Sequence, residues 1–504
     1  MPLKLPQRPK VKLISIAVHS LPPILISLTF YSLSPNEISR IQLALAFVLL
    51  QMPWSAYLNW KERSDEKIPV FALISIMYWV YYALSLFWGT RTTSGVENSF
   101  EKDVPDEAIT LALVMAVMGV SAIWLGMRSR LGKQLVPNKL PELKPGLVSV
   151  HYLRLLLVAA TLLSLYEGAT LLAGEGGRQP LTILITLVPI LAFAILFRRV
   201  LSGEAARLDK LLVLGFLALR LLIGLSSGWL GSFASIILVC AAIYLAEKRR
   251  IPRLAFVLVV LFTLFFQVGK QEFRKAYWST SSVTATSKID RVKFWTEASY
   301  KKWQEALSDP SGRGLADAMN ESMSRVSLLT QTANVADLTP STVPYQGGRL
   351  YYYLVITWIP RALWPDKPSV TDANQFYQVT YGMTSEEDLD KVAIGVGVLT
   401  EAYISFGWIG VVVIMFMIGI FYDVYQRIFL SHNSGLLMVG VGLALLPQMI
   451  TIESQMAAYV GGIVQQIVLT LLIFSPVIRW RTPRAKLDLS LLSSPKRTEV
   501  RTSP

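Results

Sequence analysis

Cysteine and histidine are almost missing from this chain: one cysteine, Cys240, and three histidines occur in 504 residues. A single thiol excludes a disulfide framework, and its place inside an apolar run makes packing its expected role. His19 falls within the first apolar run, and His151 and His432 fall at ends expected in the cytoplasm. No histidine is therefore available as a base in the long polar segment after Gly269, and a base there has to be a carboxylate. Charge is scarce as well. Only 16% of residues are charged against 53% hydrophobic, with a mean hydropathy of +0.46, which excludes a soluble domain of this size. Walker and dinucleotide fingerprints are absent, against a nucleotide-driven pump. No repeat of about 20 to 50 residues indicates a solenoid.

What is present is a series of apolar runs near the roughly 20 residues that cross a bilayer. The chain reads as an all-α polytopic membrane protein. Leu13 to Leu33 lacks a small-residue cleavage site and is expected to stay as an anchor. Lys4, Arg8, Lys10 and Lys12 hold the N-terminus in the cytoplasm, and the later loops alternate from that start. Ile41 to Trp60, Glu107 to Met127, Leu181 to Phe197 and Phe233 to Ala246 each return to basic loops. Ile68 to Trp88, Leu153 to Ala173, Leu211 to Leu225 and Leu254 to Val268 each exit. Residues 1–268 thus form a membrane region of about nine spans. Trp408 to Val424, Leu436 to Ile450 and Val460 to Ile478 add a three-span region over 408–480, for about twelve spans in all. A Ser-, Pro- and charge-rich cytoplasmic tail over 481–504 is expected to be disordered. The net charge of +14 sits mostly in short loops, where the positive-inside rule puts it, so no nucleic acid partner is expected.

Residues 269–407 lie outside in this topology, too rich in periodic apolar positions to be a linker. Ser279 to Ser287 reads as a connector. Two amphipathic helices are expected, one through Ile289, Val292, Trp295 and Trp303, the other through Leu315, Met319, Met323, Val326 and Leu329. Their plainer role is to lie on the membrane surface or on the rest of the loop. Leu350 to Leu363 is apolar but short and reads as a re-entrant or interfacial helix.

The chemistry concentrates late in this outer segment. Glu401 precedes a span at the water boundary, where partial desolvation favours a general base; its plainer reading is a carboxylate at a helix end. Arg361 and Lys367 flank Trp364 and Asp366 in a turn stiffened by Pro360, Pro365 and Pro368. Arg suits bidentate phosphate contact and Lys a point charge, against the alternative that Arg361 and Asp366 only shape the turn. Asp366 is the second carboxylate placed to take a proton. Arg220 is embedded in the seventh span, where an ionisable group is costly and usually functional, unless it snorkels. Lys270 and Arg274 lie one helical turn apart, and with Arg325 they would complete a cationic cup. For Arg325 and Arg349 a solvated surface is the stronger reading. Asp388 and Asp390 have a metal-motif spacing that matches by chance too often to carry a site. No metal and no cofactor are expected.

The order of these features resembles the Wzy-type O-antigen and exopolysaccharide repeat-unit polymerases. The resemblance rests on about twelve spans, a large late outer loop, the Pro-Arg-x-x-Trp-Pro-x-Lys-Pro run from Pro360 to Pro368, and Glu401 with Tyr403 before Phe406 and Gly407. The related O-antigen ligases look to a histidine in the outer loop, which this chain lacks. The resemblance implies a GT-C-like membrane glycosyltransferase at the outer face of the bacterial plasma membrane. Its donor would be the growing glycan on undecaprenyl pyrophosphate and its acceptor a lipid-linked repeat unit, with a flippase and a chain-length regulator as partners besides membrane lipids. Glu401, Arg361 and Asp366 would be catalytic; Arg220, Lys270, Arg274, Arg325, Trp364, Lys367 and Tyr403 would bind substrate. Tyr351, Tyr352 and Tyr353 would offer faces to sugars or anchor the interface. The rival from another class is a flippase or transporter of lipid-linked glycan, for which ionisable residues would be spread through mid-membrane rather than gathered at one face.

Overall fold

The computed structural model describes residues 13–62, 66–88, 92–93, 102–165, 174–277, 287–309, 314, 327–357, 359, 364, 366–368, 372–389 and 394–481. The chain is all-α apart from two short antiparallel pairs, β1 (Thr92–Thr93) with β2 (Lys102–Asp103) and β3 (Leu140–Leu143) with β4 (Ile478–Arg481). The longer helices in the first half are α1 (Leu13–Leu33), α2 (Arg40–Glu62), α3 (Val70–Trp88), α4 (Asp106–Arg128), α5 (Leu147–Leu165), α6 (Gly174–Leu201), α7 (Arg207–Ser226), α8 (Leu230–Lys248) and α9 (Arg253–Val268). After them come α10 (Lys270–Tyr277), α11 (Lys288–Ser308), α12 (Leu329–Leu338), α13 (Tyr352–Ile356) and α14 (Asp372–Thr380). The last three are α15 (Val398–Phe429), α16 (Leu436–Met449) and α17 (Met456–Phe474).

Among the described residues seven helices are long and apolar enough to cross a membrane, or eight if the bent pair α9 and α10 counts as one span. The chain is thus a multi-pass membrane protein, and the expected twelve spans are not all shown. Helices α1, α7, α8 and α16 occupy the other expected spans. Of these, α16 is only 14 residues long, and α7 carries Arg207, Asp209, Lys210 and Arg220. The expected tail from Thr482 onward, the Ser/Thr connector up to Thr286 and the stripe from Leu315 to Val326 lie outside the described residues.

Glycine sets the central crossing. A side chain on Gly126 would run into the Phe416 carbonyl, and one on Gly419 would run into that of Ile123. Small residues let helices approach to backbone contact, where dispersion and not the hydrophobic effect holds them in lipid. Gly119 meets Met415, Ile123 meets Gly419, and Gly132 meets Asp423. Residue numbers rise together on both sides, so α4 and the second part of α15 run parallel, as the alternation of basic loops requires.

The basic loop ends gather at one end of the bundle. Glu66 bridges to Ser431, β3 pairs with β4, Arg198 pairs with Glu247, and Arg249 donates to the Trp60 carbonyl. Asp209 is fully buried and bound by Arg154 at 2.6 Å. At the opposite end Ser34 donates to the Phe87 carbonyl (2.8 Å) and Gln42 to that of Asp106 (3.3 Å).

The described parts of the long segment include helices both on and inside the bundle. Helix α11 is the first expected amphipathic helix: its Trp295 and Trp303 donate to the carbonyls of Phe266 and Phe265, and Trp295 packs with Phe266 and Phe273. Helix α12, by contrast, is inserted in the bundle. Thr332, Ala333, Asn334 and Val335 are buried, because short side chains on every face let it fit among α3, α4 and α15. Among the described residues of the segment expected to re-enter, a 3-10 turn at Arg349–Tyr351 leads into the short α13. Thr357 just after it packs on Gly461, and its carbonyl accepts from Gln465 (2.8 Å), nine residues or about 13 Å along α17.

Candidate functional site around Glu401

The site begins with a broken helix. Gly407 has φ 62° and ψ −146° inside α15, a region essentially reserved for glycine. The helix stops at Phe406, turns back sharply and restarts, so that a side chain on Gly410 would strike the Ala402 carbonyl. The carbonyls of Ile404 and Ser405, which the break would orphan, accept from the backbone N–H groups of Gln346 and Gly347 (both 3.0 Å). A side chain on Gly407 would also meet the Tyr345 ring. Turn 345–348 is thereby locked to the short arm 398–406.

That arm is placed from its other end too. The Gly397 N–H donates to the Glu453 carbonyl (3.1 Å). Upstream, Asn374 and Gln378 of α14 accept from the N–H groups of Val396 (3.1 Å) and Ile394 (3.2 Å). On the core side Thr400 bonds Thr332 (2.8 Å), which bonds Tyr82 (3.2 Å), all buried. Tyr82 stands in a π-helical stretch, Trp79–Leu84, of α3, an irregularity often found at functional sites.

Glu401 is 1% exposed. Its Oε2 accepts from the Met456 N–H at 2.6 Å, capping the first turn of α17 with negative charge at the positive end of the helix dipole. Its Oε1 is buried with no hydrogen-bond partner among the described residues. The hydroxyl of Tyr351 is likewise buried and unpartnered, its ring stacked on Phe406 at 6.0 Å. Burial, and after it the negative charge of Glu401, hold the Tyr351 hydroxyl well above its ordinary pKa, so the phenol keeps its proton. An open acceptor and an open phenol in one buried neighbourhood call for a ligand or water with hydrogen-bonding groups of its own.

Glu453, on the loop between α16 and α17, stands beside this arm. The surrounding protein raises its pKa although the residue keeps contact with solvent, and the charge of Lys270 opposes that rise. Glu453 was not among the expected site residues. The signal was available: it is the single acid between Asp423 and Asp488, in a polar break between two apolar runs.

The other expected site residues divide. Lys270 lies near enough for its charge to act on Glu453, and Arg274 follows one turn later on α10, half-buried. Arg220 donates to the Ile185 carbonyl at 3.1 Å. Residue 189, which should donate to that carbonyl in a regular helix, is Pro189, so the guanidinium fills the bond that proline cannot make. Tyr403 is 3% exposed and donates to the Thr339 carbonyl (3.2 Å), between the rings of Tyr345 and Trp408. Lys367 is buried, its amine donating to the Ile359 carbonyl (2.8 Å), so it braces the proline-rich turn from within. Trp364 is half-buried and Asp366 exposed. No hydrogen bond or ion pair joins Asp366 to Glu401 among the described residues. Arg325 and Arg361 lie outside the described residues.

With this geometry in hand, comparison with known proteins finds one family, described as Domain of unknown function (DUF8712), over residues 71–433 of the chain. The chain belongs to that family. No curated protein and no solved structure matches it. The DUF8712 region contains the Glu401 arm, Tyr351 and Lys270, whereas Glu453 and Met456 come from the following helical hairpin. The neighbourhood of Glu401 is therefore assembled from the DUF8712 region and a segment beyond it.

Proposed function

We propose that this chain polymerises lipid-linked oligosaccharide repeat units of an O-antigen, capsule or exopolysaccharide, as a glycosyltransferase with about twelve spans in a bacterial plasma membrane and its site on the extracytoplasmic face. The observation that carries the reading is the pair of buried, unpartnered groups, Glu401 Oε1 and the Tyr351 hydroxyl. A sugar hydroxyl suits both: it donates to the carboxylate and accepts from the phenol. Glu401 Oε1 takes the proton as the acceptor oxygen attacks the anomeric carbon of the donor glycan. The bond from that carbon to the pyrophosphate oxygen breaks, and the lipid pyrophosphate leaves with the electron pair. Lys270 and Arg274 stabilise the departing charge, a task that the sequence also assigns to Arg325 and Arg361. Trp364 offers a face for a sugar ring, and Lys367 holds its turn in shape.

Glu401→Gln tests this directly. Glutamine keeps an oxygen for the Met456 N–H, so the arm stays in place, but it takes no proton. Polymer should fall by about a hundred- to ten-thousandfold, with single-repeat glycolipid accumulating on the outer leaflet of cells in which the variant inserts normally. Glycolipid trapped on the cytoplasmic leaflet would replace this reading with a flippase. Polymer at wild-type levels would make Glu401 a cap of α17 and nothing more.

A further inference from the structure

At the basic end of the bundle, away from Glu401, two cavities of about 990 and 450 Å³ share Ala56, Asn59, Phe71, Trp124 and Arg128 in their walls, and so form one continuous space. The larger is the more polar of the two, with Lys133, Arg427, Asp423, Glu66 and His432 around it. The smaller runs between α2 and α4 past Phe47, Val48, Met52 and Leu125. Gln51 donates to Ser55 (2.9 Å) and Ser121 to the Val117 carbonyl (2.7 Å), while Gln51 Oε1 is buried without a partner among the described residues.

Arg128 stands where the two chambers join, its guanidinium 4.4 Å from the centre of the Trp124 ring. Among the described residues no carboxylate pairs with it. Arg427 differs, being bound to Asp423 at 2.8 Å. A guanidinium over an indole keeps N–H groups free for bidentate contact with a phosphate, and Lys133 adds a second, exposed cation across the same chamber.

We propose that this space binds one phospholipid with an anionic head group, its phosphate on Arg128 and Lys133 and one acyl chain along the groove of α2 and α4. The length of the groove selects a lipid over a free phosphate. From Asn59 to Phe47 it follows α2 for about 18 Å, close to half of the roughly 30 Å hydrocarbon core, which is one leaflet. The excess of cations in the head chamber selects an anionic head over a zwitterionic one. This site is independent of the polymerase reading, since none of its residues belongs to the neighbourhood of Glu401.

Native mass spectrometry of the purified full-length chain, titrated with phosphatidylglycerol or phosphatidylcholine, tests the proposal. Wild-type protein should retain phosphatidylglycerol preferentially, and millimolar inorganic phosphate should not displace it. The double variant Arg128→Gln with Lys133→Gln should weaken retention by roughly tenfold or more, with an unchanged melting temperature because both residues are exposed. Met52→Trp should fill the groove and weaken retention while leaving both cations in place. Equal retention of the two lipids, displacement by phosphate, or wild-type retention by either variant would overturn the proposal.

Discussion

At the basic end of the bundle Arg154 binds Asp209, Arg198 binds Glu247, Arg427 binds Asp423 and Arg479 binds Glu142, whereas at the opposite end Glu401 Oε1 and the Tyr351 hydroxyl are buried with nothing to bond. Both ends take polar groups out of water, and the difference lies in what they do with them. Apart from Arg128 and Lys133 in the head chamber, the first end pairs its charges around its loops and β3 with β4, and the pairs hold helices in register. Buried groups without a protein partner cost stability until a ligand or water supplies their hydrogen bonds. The first arrangement is expected of a framework and the second of a site.

The sharpest way to break that comparison, after Glu401→Gln, is to unpair a charge at the closed end. Arg154→Ala leaves Asp209, with no exposed surface, buried without its cation and should cost about 3–5 kcal/mol. Unfolding in detergent would measure it, and adding Asp209→Asn should return much of the loss. A cost below about 1 kcal/mol would mean that the pair is no more than a surface contact.

Arg220 sits between the two cases, and a double-mutant cycle assigns it. Arg220→Met alone strands the Ile185 carbonyl and should cost about 1–3 kcal/mol. Pro189→Ala restores a backbone N–H at position 189, so in that background the same substitution should cost little. Absence of coupling would release Arg220 from its structural task and return it to the substrate cup. The smallest effect is expected from Arg427→Ala. Its pair with Asp423 is partly exposed and spaced i to i+4, so about 0.3–0.5 kcal/mol should be lost in the same unfolding assay.

Composition and hydropathy by themselves determined that this is a helical membrane protein, because burial of apolar length in a bilayer needs no tertiary information. The alternation of Lys and Arg likewise implied the relative direction of α4 and the second part of α15 before any contact was known. Periodicity placed α11 through its tryptophans. Glu401 was legible as a carboxylate at the head of a span. What remained hidden depends on groups distant in sequence. The unpartnered state of Glu401 Oε1 follows only once Met456 has claimed Oε2, and the meeting of Lys270 with Glu453 needs α10 to bend 52° from α9. Arg220 read as a functional charge because nothing local shows that its partner is a carbonyl orphaned by Pro189 on another helix. Helix α12 was not expected, since the apolar stripe read before it ends at Leu329: local periodicity records which faces are apolar, whereas the layer in which a helix of short side chains packs is decided by the helices that close around it.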